Sequence, residues 1–155
     1  MFTRRDDTTI ELDIAPLRPY LLQLLEVVER AAVETTSPSH QRLYGPINPD
    51  LVDDDPLARL EREIAMESSV ALVRAQLDAP TITVEDARCW ISVLSLAAAA
   101  IAAEYGVVDD ETRATLDEGT EVALRLASYV QVHLVEAISP GLVEASFEGL
   151  DPLDE

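Results

Sequence analysis

The stretch TVEDARCWISVLSLAAAAIAAEYG, residues 83–106, decides the fold class of this chain. Thr83 can cap a helix, with Asp86 at the third helical position as in a capping box, and Gly106 suits a left-handed stop. Two adjacent apolar stripes run between these ends: Ala87, Ile91, Leu94, Ala98, Ile101 and Tyr105 in one, and Trp90, Val93, Ala97 and Ala100 in the other. Because a helix that is apolar nearly all round lies at the centre of its bundle, the sequence predicts a mainly α fold built around this helix.

Three further helices are predicted where apolar residues recur every three or four positions. They span about residues 16–35, 56–78 and 110–138, so the central helix is the third of four. Gly119 can split the last one into two pieces, which gives a bundle of four to five helices. In the second predicted helix, one apolar side is formed by Leu57, Leu60, Ile64, Ala71 and Ala75 and is extended by Met66, Val70, Val73 and Leu77.

A short β element completes the expected fold. Residues 9–14 alternate apolar and polar side chains, as a half-buried strand does. The best partner within the chain is the segment 142–147, and pairing between two chains is the alternative. We therefore expect a single helical domain over residues 1–155, with the β element at the chain termini and a flexible acidic tail at about 148–155.

The charge of the chain limits its partners. It carries 30 acidic residues against 11 basic ones, all arginine, for a formal net charge of −19 at pH 7. Nucleic acid and anionic membranes are poor partners for such a surface, because like charges repel. The longest weakly polar run, 91–103, is shorter than the ~20 apolar residues of a membrane span. We expect a cytoplasmic protein that binds another protein, either a basic one or a second copy of this chain.

Reactive side chains are scarce in the sequence. Cys89 is the only cysteine, and His40 and His133 are the only histidines. Neither histidine follows a glutamate by three positions, as the ligands of a di-iron helical bundle do. The five glycines never cluster into a phosphate-binding loop. We therefore expect no metal, no cofactor and no enzymatic activity.

The segment 36–55 is the first feature that asks for a functional explanation. It contains Pro38, Gly45, Pro46 and Pro49, which indicate a linker between helices. Structureless loops longer than about 12–15 residues are uncommon in compact domains unless they have a function. The linker is therefore a candidate site.

Six residues of this linker are candidate anchors or partner-binding residues: Arg42, Leu43, Tyr44, Asp53, Asp54 and Asp55. We expect Leu43 and Tyr44 to pack on the bundle. Arg42 either pairs with a nearby aspartate or stays available to a partner. The aspartates are more typical of solvated charge than of a metal site, because no glycine-centred loop with a distal glutamate follows them. Asp55 also precedes Pro56 as a helix cap.

Several short motifs resemble those of a known family. They are Arg42-Leu43-Tyr44-Gly45-Pro46, Asp54-Asp55-Pro56, Arg59-Leu60-Glu61-Arg62, Thr83 to Gly106 with Trp90, and Tyr129-Val130-Gln131. Together they are similar to an actinobacterial family of helical proteins, a domain of unknown function whose linker reads Arg-Leu-aromatic-Pro … Asp-Asp-Pro. The resemblance spans most of residues 10–138. The chain departs from the family pattern at Gly45, which precedes Pro46, and at the apolar Ser95-Leu96-Ala97. The resemblance implies a helical fold and a special linker, and it supplies no activity.

Three functional hypotheses follow. The first is a non-enzymatic interaction or regulatory module that acts through residues 42–56 and a helix face. The second is a small-molecule sensor or enzyme with a pocket between the third and fourth predicted helices, lined by Trp90, Tyr105, Tyr129 and His133. The third is an acidic inhibitor that covers a basic protein, since a strong negative charge would steer such a partner.

Overall fold

The computed structural model describes residues 1–45 and 55–141, and this part of the chain is mainly α with a small β-sheet. The α-helices are α1 (Arg18–Val33), α2 (Pro38–Tyr44), α3 (Pro56–Gln76), α4 (Val84–Glu104), α5 (Asp110–Arg113) and α6 (Glu118–Ile138). The strands are β1 (Phe2–Arg4), β2 (Thr9–Leu12) and β3 (Thr81–Thr83). The predicted fold class, a helical bundle with a short β element, is confirmed.

Helix α4 lies at the centre of the bundle, as predicted from its two apolar stripes. It packs against α1, α2, α3 and α6. Its buried residues are Ala87, Trp90, Val93, Leu94, Ala97, Ala100 and Ile101. Of the helices in the described ranges, α4 alone is long and apolar enough to cross a membrane. The core helix of a soluble bundle can have the same length and composition. The most apolar 18-residue stretch of α4 is 39% buried.

Both predicted ends of α4 are confirmed. The Thr83 hydroxyl oxygen accepts a hydrogen bond from the Asp86 backbone N–H at 3.0 Å, which satisfies one of the free donors of the first turn. At the other end, Gly106 has φ +65°, a left-handed conformation in which a side chain is strained. The capping residues therefore fix the length of the central helix.

The β element joins the N-terminal segment to the start of α4. The three strands are antiparallel in the order β1-β2-β3, with Ile10 opposite Arg4 on one side and opposite Ile82 on the other. The predicted strand at residues 9–14 exists, but its described partners differ from the expected one. The segment 142–147 lies outside the described residues. Strands β1 and β3 were not predicted, because three residues are too few to show the alternation of apolar and polar side chains.

Trp90 ties three elements together. Its side chain is fully buried, and its ring N–H donates a hydrogen bond to the Gln76 side-chain oxygen at 2.9 Å. Gln76, the last residue of α3, donates in turn to the Asp86 carboxylate at 2.7 Å. The Phe2 ring meets the Trp90 ring edge to face, with centroids 6.4 Å apart. The end of α3 and strand β1 are thus both fixed to the first half of α4.

The predicted linker contains a helix that the sequence analysis missed. α2 begins after Ser37, whose side chain accepts a hydrogen bond from the His40 N–H at 3.1 Å. It ends at Gly45, where a Cβ atom would overlap the Gln41 carbonyl oxygen. The prediction of a structureless linker over 36–55 is therefore wrong for its first half. The remainder, residues 46–54, lies outside the described residues.

The last predicted helix is divided, but not at Gly119. Helix α5 begins with a capping box between Asp109 and Thr112, and α6 begins after a second cap at Asp117. The Asp117 side chain accepts a hydrogen bond from the Thr120 N–H at 2.9 Å. Gly119 lies in the first turn of α6, so the break comes from the Asp117 cap rather than from glycine.

Candidate functional site

An apolar surface faces solvent on the first half of α3. Leu57, Leu60 and Ile64, called the α3 stripe below, are 62%, 50% and 53% exposed. They follow one face of the helix at i, i+3 and i+7 spacing. Val70 and Val73, both in the second half, are the buried residues of α3. The predicted apolar side of α3, which grouped the stripe with Val70 and Val73, is therefore divided between solvent and core.

The two apolar sides of α3 explain this outcome. At 3.6 residues per turn, the stripe and the buried residues Val70, Val73 and Leu77 lie on nearly opposite sides of the helix. Two opposite sides of one helix cannot both pack against the same core. The side that meets α1 and α4 is buried, and the other remains on the surface.

The start of α3 is fixed even though its apolar side is exposed. The Asp55 carboxylate, one of the predicted linker residues, accepts a hydrogen bond from the Leu57 N–H at 3.0 Å. Pro56 occupies the first helical turn, where its missing N–H costs nothing. Arg59 pairs with Glu63 one turn later at 3.4 Å. The stripe is therefore presented on a capped helix.

Acidic side chains border the α3 stripe on both sides. Helical geometry places Glu61 along one edge and Glu63 and Glu67 along the other. Exposed apolar side chains between carboxylates form a surface that suits an apolar partner carrying positive charge.

A cavity of about 240 Å³ opens beside the stripe between α1 and α3, and we call it the Tyr44 cavity. Its lining residues are Val28, Glu29, Ala32, Tyr44, Glu67, Val70, Ala71 and Arg74. Ala71 is two turns beyond Ile64 on the same face of α3, so the cavity continues the line of the stripe.

Tyr44 gives the cavity its polar group. The residue is 5% exposed, and its ring stacks on His40 with centroids 5.1 Å apart. His40 is held by its Nδ1, which lies 2.7 Å from the Ala31 carbonyl oxygen. The Tyr44 hydroxyl makes no hydrogen bond with any residue in the described ranges. Burial raises the pKa of this phenol, and the nearby carboxylates of Glu67 and Glu63 raise it further.

Negatively charged side chains outnumber positively charged ones at the Tyr44 cavity. Arg74 bonds the Glu29 carboxylate, with its Nε 3.1 Å from Oε1, so its charge is matched within the rim. Glu67 adds a further negative charge. The cavity therefore combines apolar walls, a tyrosine hydroxyl and a surplus carboxylate.

The other predicted linker residues lie around this site. Leu43 is half buried and packs against the core, as expected, while Arg42 is exposed. Both line a second groove of about 770 Å³ between α2, α3 and α4, together with Arg62 and Leu96. Asp53 and Asp54 are outside the described residues. Whether Arg42 pairs with one of them stays a prediction.

The four residues predicted to line one pocket are not brought together. Trp90 is fully buried and hydrogen-bonded to Gln76, so it presents no surface to a ligand. Tyr129 and His133 contact each other on α6, with ring centroids 4.3 Å apart, and Tyr129 is half exposed. Tyr105 lines a separate groove near the end of α4. The predicted shared pocket is therefore wrong. Trp90 belongs to an apolar stripe of α4, and that stripe faces the core rather than a pocket.

Comparisons with known proteins add no relative. A scan against protein-family models gave no match, and searches of the curated proteins and of the solved structures gave none either. Within residues 1–45 and 55–141, no group of three or more histidine, cysteine, aspartate or glutamate side chains could hold a metal ion. The α3 stripe and the Tyr44 cavity are thus the basis for a functional argument.

Sequence reasoning missed Glu61, Glu63, Glu67 and the α1 side of the cavity. A helical projection of α3 could have found the stripe, because it shows two apolar sides too far apart to share one core. The α1 residues Val28 and Ala32 carried no such signal. They line the cavity through the packing angle between two helices, which the sequence does not display.

Proposed function

We propose that this chain is a non-enzymatic interaction module that binds a basic protein segment, most simply an amphipathic helix, on the α3 stripe. The observation that carries the proposal is the exposure of Leu57, Leu60 and Ile64 in line on one capped helix. Helices bind in this way when anchors at i, i+3 and i+7 lie against an apolar face of the partner.

The charges favour a basic partner over a second copy of the chain. In a dimer through the stripe, Glu61, Glu63 and Glu67 of each copy would approach their counterparts in a protein whose net charge is already −19. Like charges brought together at an interface oppose association. Arginine or lysine residues that flank an apolar stripe on the partner would instead meet these carboxylates. Dimerisation is therefore treated as a competing outcome.

The proposed function is a form of the first hypothesis, the interaction module. It also includes the third, the acidic inhibitor, because both depend on attraction between negative charge and a basic partner. The burial of Trp90 removes the support for the pocket hypothesis. Membership of the actinobacterial family that the linker resembles also remains a proposal. It is compatible with a role for the segment around Tyr44, which contributes to the same face of the molecule.

The test uses a synthetic probe peptide of about 20 residues, long enough to form a helix. It carries leucine along one face and lysine and arginine on both flanks. Fluorescence anisotropy of the labelled peptide measures its affinity for the full chain at low and high salt. We expect binding that weakens as salt screens the flanking charges. A peptide with glutamate flanks should not bind.

Matched variants separate specific from non-specific attraction. L57Q/L60Q/I64Q removes the apolar stripe without changing charge, and glutamine keeps good helix propensity. V33Q/V108Q/V132Q removes three exposed valines elsewhere and serves as the control. Binding lost in the first triple variant and kept in the second supports the proposal. Equal affinity for both variants, or sedimentation showing a dimer that the first variant abolishes, would overturn it.

A further inference from the structure

We propose that the Tyr44 cavity receives one lysine side chain of the partner that covers the α3 stripe. The inference rests on the proposed function and deepens it, because it assigns the chemistry of one anchor residue. The site consists of apolar walls on α1 and α3, the Tyr44 hydroxyl from α2 and a carboxylate at the rim.

The position of the cavity fits a partner that lies along the stripe. Ile64 and Ala71 are seven residues apart on one face of α3, and Ala71 lines the cavity. A helix that covers Leu57, Leu60 and Ile64 and continues in the same direction reaches the cavity mouth two turns later. One long side chain from that helix can then enter between α1 and α3.

The size and walls of the cavity fit one aliphatic side chain. Its volume of about 240 Å³ lies below the ~300–1,000 Å³ that is typical of small-molecule pockets. Val28, Ala32, Val70 and Ala71 form its apolar surface. The four methylenes of a lysine can pack against such a surface while the charged end remains near polar groups.

The polar groups fit the ammonium end of that side chain. The Tyr44 hydroxyl lines the cavity and makes no hydrogen bond with the described residues, so its oxygen can accept one from an incoming donor. Glu67 at the rim supplies negative charge, whereas Arg74 is already paired with Glu29, as Glu63 is with Arg59. An apolar anchor would leave the hydroxyl unpaired, and an acidic one would meet like charge.

Lysine suits these acceptors better than arginine. The Tyr44 oxygen on α2 and the Glu67 carboxylate on α3 are separate acceptors, whereas a guanidinium fork is matched by two coplanar oxygens of one group. A compact ammonium with three rotatable donors can bond one oxygen and approach the other. The same chemistry would accept a free alkylamine, and the experiment distinguishes the two sources.

The first arm of the test uses the small probes Nα-acetyl-lysine methylamide and its norleucine counterpart. They are titrated into methyl-labelled full-length protein, followed by NMR. We expect shifts in the methyl signals of Val28 and Val70 with the lysine probe, and much weaker shifts with norleucine. Tyr44→Phe and Glu67→Gln should each weaken lysine binding about tenfold, the worth of a hydrogen bond to a charged group.

The second arm uses the basic helical peptide, with its anchor lysine either present or replaced by norleucine. Ala71→Leu narrows the cavity, and Ala114→Leu, at an exposed position just after α5, adds the same side chain outside α3 as the control. We expect Ala71→Leu to reduce peptide affinity and to abolish the preference for lysine, while Ala114→Leu leaves both unchanged. Tyr44→Phe should reduce the same preference.

Each remaining outcome overturns a defined claim. Peptide binding that needs the stripe but ignores the anchor lysine, Tyr44→Phe and Ala71→Leu would reject the lysine site and leave the proposed function standing. A lysine probe that binds the cavity while the peptide fails to bind the stripe would reject the proposed function and make the cavity a site for free amines. Equal shifts with the lysine and norleucine probes would reject the ammonium recognition.

Discussion

Helices α3 and α4 are both 21 residues long, and each begins at a capping side chain, yet they are used in opposite ways. α4 buries residues along almost its whole length and is in contact with four other helices. α3 buries Val70 and Val73 in its second half and exposes Leu57, Leu60 and Ile64 in its first. The comparison shows that apolar periodicity identifies a helix reliably but does not identify which apolar side becomes core.

The largest effect that can test this comparison is expected from Trp90→Ala in α4. The ring is fully buried, and its loss leaves a cavity and an unpaired Gln76 side-chain oxygen. We expect the free energy of unfolding to fall by about 3–5 kcal/mol. Urea unfolding followed by far-UV circular dichroism measures this loss without the tryptophan signal. A loss below about 1 kcal/mol would contradict the central position of α4.

A matched pair of leucines compares the two helices directly. Leu94 in α4 is 3% exposed, whereas Leu60 in α3 is half exposed. We expect Leu94→Ala to cost about 2–5 kcal/mol and Leu60→Ala less than about 1 kcal/mol. Equal losses of unfolding free energy in the two variants would mean that the α3 stripe is packed within the monomer. The stripe would then not be available as a binding surface.

Gly106→Ala tests the end of α4. Its φ of +65° is a left-handed conformation, and no atom lies within 4 Å of a Cβ built there, so the cost is backbone strain alone. We expect a loss of about 1–2 kcal/mol. Gly119→Ala is the control with opposite sign, because Gly119 lies within the first turn of α6 and alanine is the better helix former. Thermal unfolding of both variants should show opposite shifts.

The smallest expected effect concerns the ionisation of Tyr44 beside α3. Burial and the Glu67 and Glu63 carboxylates raise the pKa of the phenol above its ordinary value of about 10. Because the folded-state pKa is the higher one, this group favours folding below about pH 10, and that contribution is lost as the pH rises through the folded-state pKa. Absorbance at alkaline pH should show a late tyrosine ionisation that Tyr44→Phe removes and Glu67→Gln shifts to lower pH. An unchanged titration in both variants would contradict the geometry of the cavity.

Local signals predicted most of the helical frame. The Thr83 and Asp55 caps, the Gly106 stop and the two stripes of α4 all lie within a few residues of the features they specify. Helix α2 was missed because three prolines and a glycine hid its seven residues, although Ser37-Pro38 is a good helix start. The pairing of β2 with β1 and β3 was missed because strand partners are chosen by tertiary packing.

The site was predicted in part, and the reason is physical. Tyr44 and Asp55 were correctly predicted to be anchors. An aromatic residue in a polar segment tends to pack on the core, and an aspartate before proline tends to cap a helix. Trp90 was assigned to a pocket although its place in a nearly all-apolar helix favours the core. The α1 wall of the cavity depends on how two helices cross, a property of the assembled bundle.

The central claim is that the first half of α3 is a binding surface on a bundle held together by α4. Methyl NMR of the full chain during titration with the basic helical peptide tests it most directly. We expect the signals of Leu57, Leu60 and Ile64 to shift with the same dissociation constant, while the signal of Val108, exposed elsewhere, stays unchanged. Shifts that spare the α3 stripe, or that spread uniformly over the acidic surface, would contradict this claim.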